Sequence, residues 1–184
     1  MTTIDNRRQL IQKFDDAPAQ VRKYFSSLPY LLLENFPLDV ALAYVFSRVE
    51  LAHNMALYCG VMKIHKAERE IANSAIDANH MTRKDFLEMF KIVFDRDLPT
   101  TTSNLLKNAE RVRDRVMHGK QTSDPEKREA IVKVVQYAAK FNETVYEAAQ
   151  FRPFGNLRGF RGRGKSLSKT TTRWVLKGMG FPLS

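Results

Sequence analysis

The chain has 184 residues, 43% hydrophobic and 27% charged, which suits one globular domain with modest extensions and excludes two full-sized domains. No apolar run approaches the roughly 20 residues that span a bilayer, the N-terminal stretch lacks the apolar centre of a signal peptide, and the single cysteine, Cys59, excludes an intrachain disulfide, so the expected location is the cytoplasm. The net charge of +10 is localised: residues 151–184 hold eight Lys and Arg and no Asp or Glu, leaving 22 basic and 20 acidic residues in the first 150, and such a basic segment points to a polyanionic partner.

Residues 1–36 read as an N-terminal helical extension. Leu10, Ile11 and Phe14 share one helical face, as do Val21, Phe25 and Leu28, and Pro18, Pro29 and Pro37 cut the region into short pieces. From Leu38 to about Lys63 a proline-free helix is predicted, with Val40, Ala43, Tyr44, Leu51, Met55 and Met62 on the buried face. Val45, Phe46, Val49, Leu57 and Tyr58 widen that face, and Gly60 marks a kink or an end. A more polar helix follows over about 66–78. Thr82 caps the next, with Phe86, Leu87, Phe90, Val93 and Phe94 turned inward.

Leu98–Pro99 and the run Thr100–Ser103 form a break and a cap. The helix after them carries Leu105, Leu106, Ala109, Val112 and Val116 on one side and stops at Gly119, a residue suited to the left-handed position beyond a helix. Ser123-Asp124-Pro125-Glu126 is a helix start: Ser123 or Asp124 caps, Pro125 fits the first turn and Glu126 closes a capping box. Ile131, Val134, Val135, Ala138, Phe141, Val145 and Ala148 then follow at helical spacing to about Gln150. Six of the eight glycines lie in 151–184, interleaved with arginines and with Phe151, Phe154 and Phe160, a basic Gly/Arg-rich tail. Within it Thr170–Gly178 is predicted as a short helix. No stretch alternates with a two-residue period, so the fold class is all-α.

Arg113-Asp114-Arg115-Val116-Met117-His118-Gly119 resembles the signature of the HEPN family: an arginine, a polar residue, a few more residues and a histidine between two bundle helices. The resemblance covers roughly residues 37–150 and implies a helical bundle, flanked here by the extension 1–36 and the tail 151–184. It also implies a homodimer in which the motifs of two subunits meet at one cleft, and, in active members, RNA cleavage without metal or other cofactor. Inactive members keep the fold for binding or assembly. The family often has asparagine where this chain has Asp114.

Helix geometry bears on the motif. Asp114 and His118 stand one turn apart on one face, so the carboxylate can orient the imidazole. Arg113 and His118 lie about 140° apart on a straight helix; they converge only if the helix ends near His118 or a second subunit supplies one of them. Cleavage of RNA by its own 2′-hydroxyl needs a base active near neutrality, for which His118 is the candidate general base or acid. Charge building on the phosphate calls for a guanidinium, for which Arg113 is the candidate. The expected ends are a 2′,3′-cyclic phosphate and a 5′-hydroxyl. The plainer reading is a surface histidine at a helix C-terminus beside a solvated basic face of Arg111, Arg113 and Arg115.

Other motifs carry less. Gly159–Ser166 matches the phosphate-loop pattern G-x-x-x-x-G-K-S, but that pattern works only between a buried strand and a helix. Glu50 and His53 resemble half of a bundle metal site whose second half is absent; His65 and His80 lack metal-ligand spacing, so no metal site is expected. Cys59 reads as a small core residue. In the tail, Arg158, Arg161, Arg163, Lys165 and Arg173 are candidate nucleic-acid contacts, with the phenylalanines and Trp174 offering stacking surfaces.

The leading expectation is an RNA endonuclease, a toxin or a stress- or phage-defence effector, with RNA, a second copy and a protein antitoxin or regulator as partners and no membrane. The alternatives are a non-catalytic module binding nucleic acid, nucleotide or protein, and a purely structural dimer joined through the long apolar helix.

Overall fold

A computed structural model describes residues 4–78, 81–162 and 164–183. Among these, the elements are helices only: α1 (Arg7–Asp15), α2 (Ala19–Tyr24), α3 (Leu28–Leu33), α4 (Leu38–Lys63), α5 (Arg69–Asp77), α6 (Arg83–Phe94), α7 (Thr100–Met117), α8 (Asp124–Ala149) and α9 (Lys169–Gly178). The all-α class therefore holds. Among the described residues no helix is long and apolar enough to cross a membrane. The chain divides into two compact units, the first comprising Met1–Glu50, Pro99–Asn142 and Phe154–Asn156, the second Leu51–Leu98, Glu143–Pro153 and Leu157–Ser184.

The first unit is built around an aromatic cluster. Phe25, Tyr137, Phe141 and Phe154 are fully buried, with Phe154 meeting Tyr137 and Phe141 edge-on at 6.1 and 5.8 Å between ring centroids. Asn142 fixes the segment that carries Phe154. Its amide nitrogen donates to the Phe154 carbonyl and its amide oxygen accepts from the Phe154 N–H, at 2.9 and 2.8 Å. Burying such a ring contributes about 2–3 kcal/mol. The Gly/Arg-rich stretch thus begins as core, and Phe154 and the buried Phe151 cannot serve as stacking surfaces for bases. Leu10, Phe14, Val21 and Leu28 of the N-terminal helices are buried too, and Arg128 Nε donates to the Ile4 carbonyl at 2.7 Å.

In the first unit α4 buries Leu38, Ala41, Leu42, Val45, Phe46 and Val49, while Val40 is 42% exposed. Leu51, at 46% exposure, also lies off the buried side, so the face is rotated from the predicted one. A helix apolar nearly all round defines a period but not a phase: Ala43, expected on the buried face, is exposed, and Ala41 is buried in its place.

In the second unit Phe86, Phe90, Val93 and Phe94 of α6 are buried as predicted, joined by Met89. Leu87, expected among them, is only half-buried. Thr82 and Asp85 form a reciprocal capping box at the start of α6. Gly60 does not end α4, which continues to Lys63. A Cβ at Gly60 would stand 2.6 Å from Val93 Cγ1 and 2.9 Å from Phe94 Cζ, so glycine is required there by close approach of the α6 side chains. α9 packs on α5.

Candidate functional site

The motif occupies the last turns of α7 in the first unit. α7 ends at Met117 with His118 as its capping residue. Gly119 follows in the left-handed region at φ 65°, with Lys120 N–H donating to the Arg115 carbonyl at 2.8 Å and Gly119 N–H to the Val116 carbonyl at 3.0 Å. These two bonds are a Schellman turn. It stops the helix where the sequence anticipates and leaves His118 exposed. Among the described residues the His118 imidazole has no hydrogen-bond or ion-pair partner.

Arg113 is half-buried, its side chain 29% exposed. Its guanidinium lies over Phe46 of α4, 4.7 Å from the ring centroid. Nε and Nη2 donate to Asp114 Oδ1 at 3.1 and 2.9 Å, and Nη1 stands 3.8 Å from Glu50 Oε1. The cation is therefore held by an aromatic face and two exposed carboxylates. Asp114, expected to orient the imidazole, bonds to Arg113 instead; among the described residues no hydrogen bond joins it to His118. A charge-assisted bond to a guanidinium outcompetes one to a neutral ring.

The turn beyond His118 is clamped from both sides. Arg115 Nη2 donates to Glu126 Oε1 at 2.6 Å. The other Glu126 oxygen accepts from the Ser123 N–H and hydroxyl at 2.9 and 2.8 Å, which is the glutamate half of the predicted capping box with Ser123 as the cap. The Arg115 hydrogen bond, followed by the bonds from the Ser123 amide and hydroxyl, pulls the Glu126 carboxyl down to about 2. Beside the turn an open groove of about 650 Å³ is flanked by Arg111, Asp114 and Arg115 of α7 and by Glu126, Glu129 and Lys133 of α8. Arg115 and Lys133 are neutralised by Glu126 and Glu129. Among the described residues Arg111 has no such partner and remains a cation facing solvent.

The remaining candidates lie in the second unit. Arg158, Arg161, Lys165 and Arg173 are exposed, and Arg163 and His80 lie outside the described residues. Trp174 is 71% exposed. No strand among the described residues precedes Gly159–Ser166, and α9 starts only at Lys169, so the phosphate-loop pattern lacks its strand and its helix. His53 is half-buried, its ring stacked on Phe86, 3.8 Å apart and 8° from parallel. Burial, and then the Arg83 charge, push it down to about 3. Burial pushes the Cys59 thiol up to about 12, against a smaller opposing effect of Lys63, as befits an inert core residue. No cluster of three His, Cys, Asp or Glu among the described residues could hold a metal ion.

The motif sequence points to Arg113, Asp114 and His118 but not to their supports. Phe46, Glu50 and Glu126 are distant in sequence. Only the Ser123–Glu126 capping signal hinted at one of them.

Comparison with family models, with curated proteins and with solved structures gave no match in any of the three.

Proposed function

We propose that the chain is an endoribonuclease of HEPN type that cleaves RNA without a metal, with Arg113 and His118 as the reacting pair. One observation carries this reading: the Schellman turn ends α7 so that His118 is exposed and, among the described residues, unpartnered, while Arg113, five residues earlier, is already oriented on Phe46. A general base needs access and a transition-state cation needs a fixed direction. His118 takes the proton of the 2′-hydroxyl. The 2′-oxygen bonds to phosphorus and the bond from phosphorus to the 5′-oxygen breaks. The 5′-oxygen receives a proton from the imidazolium or from that of a second copy. Arg113 meets the charge on the non-bridging oxygens, and Asp114 and Glu50 aim it. Arg158, Arg161, Lys165 and Arg173 supply phosphate contacts. A homodimer, with the chain acting as a toxin or defence effector under an antitoxin or regulator, follows from the motif's resemblance alone.

A second reading is favoured by the ion pairs of Arg113. A guanidinium engaged by two carboxylates suits a non-catalytic module that binds nucleic acid, nucleotide or protein. The two readings separate when a mixed RNA pool is incubated in excess EDTA with wild type, His118→Ala and Arg113→Ala. Cyclic-phosphate ends from wild type alone support the nuclease. Intact RNA with folded wild type, or equal cutting by all three, removes it.

A further inference from the structure

The second unit carries a basic surface around α9, from which Arg161 and Arg173 were proposed above as phosphate contacts. The first turn of α9 is tied to the start of α5: the Glu68 N–H donates to Thr172 Oγ1 at 3.0 Å, Lys169 Nζ meets Glu70 Oε2 at 2.6 Å, and Leu167 N–H donates to the Lys66 carbonyl at 2.8 Å. Thr172 and Leu176 are the buried side of α9. At 100° per residue, Trp174 falls opposite this buried side, with Arg173 and Lys177 on the flank between them, and all three are exposed.

Beside this helix lies a groove of about 280 Å³ lined by Lys66, Arg69, Phe160, Arg161, Gly162 and Ser166, among others. The segment forming one wall is pressed onto the end of α4, since a Cβ at Gly162 would stand 2.8 Å from the Met62 carbonyl oxygen. The local carboxylates are occupied. Glu68 accepts from the Glu70 and Ile71 amides at the start of α5, and Glu70 holds Lys169. Among the described residues Lys66, Arg69, Arg161, Arg173 and Lys177 have no carboxylate partner.

We infer that these residues bind single-stranded RNA, with one base stacked on Trp174, the adjoining phosphates held by Arg173 and Lys177, and the strand continuing to Arg161, Lys66 and Arg69 at the groove. The inference rests on RNA being the ligand of the chain. A lone exposed aromatic amid unpaired cations matches an unstacked base followed by its backbone. A duplex offers no free base face. A helix lying in a membrane surface presents a broad apolar face, whereas Leu176 is buried and Trp174 alone projects.

Trp174 is the only tryptophan of the chain, so its emission reports directly on stacking. The full-length chain carrying His118→Ala is titrated with a fluorescein-labelled ten-nucleotide oligouridylate, with the corresponding duplex, and with vesicles of phosphatidylcholine and phosphatidylserine. Quenching by the single strand is expected. Trp174→Ala, which leaves an exposed position, weakens binding about tenfold by anisotropy. Arg161→Gln with Arg173→Gln lowers the slope of log affinity against log salt by about 0.7 for each cation removed. An unquenched Trp174 in an RNA-bound chain, wild-type affinity in Trp174→Ala, or a response to vesicles in place of RNA each overturns the assignment. A wild-type chain that binds as described but leaves RNA intact removes the nuclease reading and keeps this one; cleavage with a silent Trp174 does the reverse.

Discussion

The guanidinium of Arg113 rests on the ring of Phe46, 4.7 Å from its centroid, and this contact joins the motif at the end of α7 to the first half of α4. An aromatic face favours a cation by about 0.5–1 kcal/mol at a partly exposed site and restricts its plane. Phe46→Leu keeps the site apolar and removes the platform. The expected stability loss is about 1 kcal/mol, with kcat for RNA cleavage down about tenfold and KM little changed. Arg113→Lys, which loses the planar fork, should fall further. Wild-type kcat in a folded Phe46→Leu chain would show that the ring does not position Arg113.

Glu126 joins the two helices that flank His118 through Arg115 and Ser123. These bonds hold its carboxyl at about 2, below the usual 4.5. The folded-state value is the lower one, so the stabilisation is fully present above about pH 4.5 and is lost as the pH falls through about 2. Glu126→Gln is expected to melt at a lower temperature than wild type at pH 7, with the gap narrowing steadily below pH 4.5. A gap that stays constant down to pH 3 would assign the effect to packing and not to charge.

The helices were largely legible because their signals are local. Thr82 with Asp85, Ser123 with Glu126, and Gly119 beyond Met117 each declare a terminus within a few residues, and the structure places caps at all three. Contacts made at a distance were not legible. Ala41, Ala52 and Ala56 of α4 bury as deeply as its large residues, whereas Ala43, placed on the predicted buried face, is exposed, so the sequence pattern put the face one step round. Gly60 reads as a helix breaker until Val93 and Phe94 are seen against it. Phe154 sits in a stretch whose composition suggests a loose tail, and only its pairing with Asn142 shows it to be core. The motif itself was readable, but the partner of Asp114 was not, because Arg113 and His118 both lie within its reach.

His53 links stability to pH in the opposite sense from a surface histidine. The folded chain keeps it neutral to about pH 3, below the ordinary 6.5, because its ring is desolvated in its stack on Phe86 and lies near the Arg83 charge. The unfolded chain takes up a proton near pH 6.5. Between those values the unfolded state binds more protons, so stability falls as the pH falls, by up to about 1.4 kcal/mol per unit. Urea unfolding at pH 7, 6 and 5 should show this decline, and His53→Gln should flatten it. A wild-type profile level over that range would mean that His53 is hydrated in the folded chain.

Lys66 occupies a backbone position that suits glycine. Its φ of 54° is left-handed, in the corner after α4 where the Ala67 N–H donates back to the Val61 carbonyl at 3.1 Å. A side chain there costs about 1 kcal/mol relative to glycine. Its exposed ammonium has no partner among the described residues to offset that cost. The bond from Leu167 N–H to the Lys66 carbonyl uses backbone alone and survives substitution. Lys66→Gly is therefore expected to raise stability by about 0.5–1 kcal/mol, seen as a higher urea midpoint with an unchanged slope, while weakening single-stranded RNA binding through the lost charge. A chain that gains stability and loses affinity together places Lys66 in the binding surface. A lower midpoint would mean that the lysine side chain holds the α4–α5 corner, and the strain argument would fail.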